Sequence, residues 1–206
     1  MKRIILLLFL TISGLSLAQS NYENGMRKAF ELWSADKTEE AENLFERIAK
    51  AEKDNWLPHY YIAQINSLKS WGVTDEAVLK AQLDKAQEHL DIAMGLSENN
   101  PELMVIQAQV LTNWIAFDGM TYGMKYSAKI SELYNKAQAI APNNPRVAFG
   151  KVEWDMGSAK YFGQDTAPFC KKMEATLTLF ENFEARSEFH PSWGEQRAKQ
   201  AITECK

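Results

Sequence analysis

Hydrophobic positions after residue 21 recur with a helical period, at i, i+3, i+4 and i+7, and almost nowhere alternate as a strand requires. Met26, Ala29, Phe30 and Trp33 fall on one face of a helix over 21–35, and Ala41, Leu44, Phe45 and Ile48 on one face of the next. The turn between them is Ser34-Ala35-Asp36-Lys37. Thr38 is placed to cap the second helix, with Glu39 and Glu40 at its positive end. Further along, an Asn-Asn-Pro phrase punctuates the pattern. It reads Glu98-Asn99-Asn100-Pro101-Glu102, then Pro142-Asn143-Asn144-Pro145-Arg146, with a looser Glu188-Phe189-His190-Pro191-Ser192, and the prolines are 44 and 46 residues apart. A fixed period in this range predicts stacked helical hairpins, an architecture that generally binds rather than converts.

Small residues recur at matching places in each unit. Starting from Tyr22 they are Ala29 and Ala41, followed by the aromatic Phe45. From Trp56 come Ala63, then Ala86, Leu90 and Ala93; from Pro101 come Ala108, then Ile130, Tyr134, Ala137 and a closing Pro142. From Pro145 the most divergent unit offers Val152, Ala175 and Leu179, and Ser192–Cys205 reads as a last helix with Trp193, Ala198, Ala201 and Ile202 available for packing. This pattern resembles the tetratricopeptide repeat (TPR) across nearly the whole chain after residue 21, although the family's fourth-position aromatic is missing from every unit. The resemblance implies an all-α, right-handed α–α superhelix of about four helix pairs plus a C-terminal capping helix, in units of roughly 22–55, 56–100, 101–144, 145–189 and 191–205. The chain is also similar to small exported TPR-like proteins of undefined role.

Three of these units are about ten residues longer than the 34-residue TPR, and the excess falls between the two helices each time. The added stretches are Trp71–Thr74, Trp114–Met124 and Trp154–Gly163, each with a Trp and at least one Gly. Two readings stay open. The additions lengthen both helices and their aromatics extend the core, or they form a binding edge, since aromatics and Met bury much area at little entropic cost. Gly119 and Gly123 argue for a break in the helix, with Asp118-Gly119 as a turn and Ser127 capping the helix beyond it. On that reading Met120, Tyr122, Met124, Tyr161 and Phe162 edge a partner-binding groove.

The remaining chemistry narrows the class. Lys2-Arg3, the apolar run Ile4–Leu10 and Ser16-Leu17-Ala18 match a secretory signal peptide, leaving one domain over 19–206 expected to be periplasmic or secreted, without a membrane span. Without Lys2 and Arg3 the chain has 21 basic and 27 acidic side chains, a net charge of −6, which argues against nucleic acid as a partner. Cys170 and Cys205 are the two cysteines, read as a possible disulfide or as two buried thiols. His59, His89 and His190 are far apart in sequence and lack metal-ligand spacing, no nucleophile elbow or phosphate loop occurs, and the clustered glutamates fall on solvated helix faces. No catalytic residue, metal or cofactor is therefore expected. The leading expectation is a non-enzymatic module of the cell envelope holding a protein or peptide in a concave groove. The alternatives are a small-molecule binder or enzyme with a pocket between the long insertions, and a structural subunit of an envelope assembly.

Overall fold

A computed structural model gives the fold over residues 21–205, so the expected signal peptide, 1–18, lies outside the described residues. The described residues form nine helices and no strand: α1 (21–34), α2 (Thr38–Ala51), α3 (Trp56–Ser70), α4 (Glu76–Leu96), α5 (Pro101–Phe117), α6 (Gly119–Ile140), α7 (Pro145–Tyr161), α8 (Ala167–Glu181) and α9 (Glu195–Glu204). They pair as the antiparallel hairpins α1/α2, α3/α4, α5/α6 and α7/α8, with α9 against α8.

The Asn-Asn-Pro phrase works atom by atom. Asn99 adopts the left-handed conformation that ends α4, at φ 53°, which Asn tolerates better than most residues. Asn100 then accepts from the Glu102 N–H, and Asn144 accepts from those of Arg146 and Val147. Proline occupies the first turn of both helices, where its missing N–H costs nothing. The residues after the two prolines then meet. Arg146 Nε and Nη2 donate to Glu102 Oε2 and Oε1 at 2.7 and 2.6 Å, fully buried, and Asn144 adds a third donor at 2.6 Å.

That pair aligns the start of α5 with the start of α7. At the other end of α5, Asn113 Nδ2 donates to the Ser67 carbonyl at 2.7 Å and to Ser70 Oγ at 2.8 Å, which sets the end of α5 beside the end of α3. The first helices of successive hairpins thus run parallel and in register. They are buried on nearly all sides over 57–67 and 102–108, as helices apolar all round must be.

The segment 183–194, irregular apart from turns, runs back across these first helices. Phe189 packs edge-on against Tyr22 and stacks on Phe30 of α1, and Tyr61 Oη of α3 donates to its carbonyl at 2.7 Å. Glu188 accepts two 2.7 Å bonds from Arg27. Trp193 Nε1 donates to Tyr60 Oη at 2.7 Å, and Phe183 lies 4.3 Å beneath the Arg146 guanidinium. Helices α1, α3 and α7 are thereby tied by one strap, and Cys170–Cys205 joins α8 to the end of α9 across a Cα separation of 5.8 Å.

Several expectations need correcting. The last helix begins at Glu195 rather than Ser192, because 191–194 belongs to the strap and Gly194 turns at φ 110°. In α8 the buried face is Met173, Thr176 and Phe180, while Ala175 is exposed and Leu179 half-buried, so the buried register is one residue away from the expected one. Lys37, not Thr38, holds the α2 cap position, and it makes no side-chain cap bond. Asp118-Gly119 is the turn between α5 and α6, as expected, but Gly123 breaks nothing. Asp118 caps α6 through the Met120 and Thr121 N–H groups, and the helix continues past Gly123, whose carbonyl accepts from Ser127 Oγ at 2.6 Å.

Candidate functional site

The insertions lengthen helices and also leave apolar side chains in solvent. Because the first helices run in parallel register, their C-terminal ends share one edge of the molecule. That edge carries Trp71 (63% exposed), Met120 (87%), Met124 (93%), Tyr161 (76%) and Phe162 (73%), with Leu68 beside Trp71. Such exposure is costly for residues of this size, and its recurrence at the same turn of three successive hairpins is not scatter. Behind it stands a half-buried layer. Tyr122 lies 4.8 Å from Trp114 and stacks parallel on Tyr126 at 5.9 Å, while Trp154 Nε1 donates to Ser131 Oγ at 2.9 Å.

Four of the five residues read from sequence as a binding edge are thus exposed, and Tyr122 backs them. Tyr161 and Phe162 contact each other edge-to-face at 5.2 Å. The reading of the insertion aromatics as core fails for Trp71, which is exposed because α3 stops at Ser70 and Gly72 turns the chain away at φ 78°. Positive charge is interspersed. Lys125 Nζ sits 4.9 Å from the Tyr126 ring centre, and Lys160 lies in the last turn of α7. The arrangement offers a flat apolar ligand an aromatic and thioether surface, with ammonium groups in reach of peripheral carboxylates.

A second concavity lies between α2 and α4. It is an open groove of about 650 Å³ lined by His59 of α3 and His89 of α4 together with the charged residues Glu46, Lys50, Asp84, Lys85 and Glu88. The two imidazoles meet Nδ1 to Nδ1 at 2.8 Å. Burial holds both histidines below the ordinary imidazole range, and for His59 the neighbouring imidazole adds to the effect. Thirty residues separate the two histidines, which is why their sequence spacing suggests no relation. The available signal is symmetry: in an antiparallel hairpin, residues equidistant from the turn face each other, and His59 and His89 are equidistant from Thr74.

Beside this pocket Glu42 is buried. Burial alone would raise its carboxyl pKa, but bonds from Lys85 at 2.5 Å, Asn66 at 2.8 Å and Lys69 at 3.2 Å outweigh that and hold it low. Among the described residues no group of three or more His, Cys, Asp or Glu side chains is placed to hold a metal, and no helix is long and apolar enough to cross a membrane.

No protein-family model matches the sequence, and no curated protein matches it. Among solved structures the chain is similar to the HusA haemophore from Porphyromonas gingivalis. The TM-score is 0.74 at 24% sequence identity, over 89% of this chain and 92% of that one. At that identity the likeness establishes a shared fold along nearly the full length of both chains.

Proposed function

We propose that this protein is an exported, non-enzymatic carrier of a flat apolar ligand of the porphyrin class, haem foremost, held at the edge formed by Trp71, Met120, Met124, Tyr161 and Phe162. The observation that carries the reading is that exposed aromatic and thioether side chains gather at one edge, in a fold shared with a haemophore. Chemically the match is direct. A porphyrin presents two broad apolar faces and anionic propionates, and the edge presents stacking surfaces with Lys125 and Lys160 nearby. Export is supported by the Lys2-Arg3 and Ile4–Leu10 pattern and by a disulfide joining the only two cysteines.

A peptide held along the first helices fits less well. The strap 183–194 already covers parts of α1, α3 and α7 with its own side chains and backbone. The test is a haemin titration of the purified protein followed by absorbance in the Soret region. A saturable shift is expected, weakened at least tenfold in M120A/M124A and in Y161A/F162A, with thermal stability unchanged because these side chains are mostly in solvent. Equal affinity in wild type and both variants would remove the edge as the site, and the absence of any saturable shift would remove the function.

A further inference from the structure

The His59–His89 pair is not explained by a porphyrin-binding edge, since the pocket between α2 and α4 lies along the helices rather than at the turns. A pair of imidazoles can satisfy each other with one hydrogen bond, which is worth about 1 kcal/mol net. Here both Nδ1 atoms are turned toward each other, and both histidines line an open groove of about 650 Å³. One nitrogen donates and the other accepts, so deprotonating the donor would leave two nitrogen lone pairs side by side. Two imidazole nitrogens this close, both on the lining of a solvent-open groove, can also chelate a late first-row transition ion.

We propose that His59 and His89 bind a divalent transition ion of the copper–zinc type through their Nδ1 atoms, with water completing its coordination. Metal–nitrogen bonds of about 2.0–2.1 Å in tetrahedral geometry place the two nitrogens roughly 3.3 Å apart. The present 2.8 Å is a hydrogen-bond distance, so binding exchanges that hydrogen bond for two metal–nitrogen bonds after a small rotation of the two rings. Both rings then carry their proton on Nε2. His59 is fixed in the first turn of the buried helix α3 and His89 on the neighbouring α4, so the chelate is set by the α3/α4 hairpin rather than by a loop. Glu88, which lines the same groove, is the candidate outer partner for ion-bound water, as outer partners act in metal sites, whereas Asp84 is engaged by Lys80. Glu46 is already engaged by Lys85 at 2.6 Å and is not needed as a ligand. With two protein ligands, the affinity is expected to be weaker than that of a structural zinc site.

The test uses tag-free protein with Cu(II) and Zn(II) as probes. Calorimetry should show one Zn(II) per chain, weakened at least tenfold in both H59Q and H89Q. Copper bound to the wild type should show hyperfine coupling to two imidazole nitrogens in its paramagnetic resonance spectrum. That spectrum decides the matter even if a variant folds poorly. Binding that persists unchanged in both folded variants, coupling to fewer than two imidazoles, or no binding at 100-micromolar concentrations (on the order of the weakest affinity a two-ligand site allows) would each overturn the site. Haemin binding in H59Q and H89Q is expected to match wild type, so failure here and failure of the carrier reading are separable.

Discussion

Arg146 has the most demanding environment of any side chain in the described fold. Its guanidinium is wholly buried, paired with Glu102, capped by the Phe183 ring and directed at the Trp193 carbonyl 3.5 Å away. Removing one partner leaves the other charge buried and uncompensated. Arg146→Ala and Glu102→Ala should each cost about 3–5 kcal/mol, whereas the apolar pair E102L/R146M should recover much of that loss. Urea unfolding of these variants beside the wild type measures both effects. Glu42 makes a pH prediction. Its folded pKa is lowered, so its stabilising contribution is present above the ordinary value of 4.5 and is lost as pH falls below it toward the folded value. Melting temperature should drop on acidification below about pH 4.5, and more gently in E42Q, which starts less stable at neutral pH. Neither network could be read from the chain. Glu102 and Arg146 each follow a recognisable Asn-Asn-Pro phrase, yet nothing local tells that one phrase sits beside the next in space.

At the scale of elements, helix identity was legible and helix behaviour at glycines was not. The period of apolar positions and the capping asparagines mark the hairpins, because those signals act within one turn of helix. The turn at Asp118-Gly119 is real, but Gly123, which also reads as a breaker, lies inside α6, where the packing of Tyr122 and Tyr126 carries the helix through. The one-residue slip in α8 has a similar origin: its buried Thr176 donates to the Met173 carbonyl and so tolerates burial that a polar residue otherwise resists. The strap was invisible because its partners, from Tyr22 to Arg146, are distant in sequence. Phe189 is its deepest anchor, so F189A should cost about 3–5 kcal/mol. Calorimetric melting of F189A against wild type checks this, and protection of α1 amides in hydrogen exchange should fall most. Gly150 is a second such constraint. A Cβ there would lie 2.8 Å from the Tyr134 ring, so G150A should destabilise the α6–α7 contact by about 1–3 kcal/mol in the same assay.

The whole molecule combines a rigid interior with a costly apolar edge. Parallel first helices, the strap and the Cys170–Cys205 bond hold the turns in fixed relation. Reduction of that bond should lower stability by about 2–4 kcal/mol by freeing the chain between α8 and α9, as denaturant melts with and without reductant will show. The edge itself was half legible. The aromatic and methionine composition of the insertions was plain in the sequence, whereas their convergence on one side comes from helix register, which only packing supplies. The central claim is that this edge receives a porphyrin, and the methionine methyl groups report on it directly. With methyl-labelled methionine and the diamagnetic gallium(III) protoporphyrin, ring current should shift the Met120 and Met124 methyl resonances and leave the buried Met26 and Met173 in place. Unmoved Met120 and Met124 signals at saturating porphyrin would contradict the account.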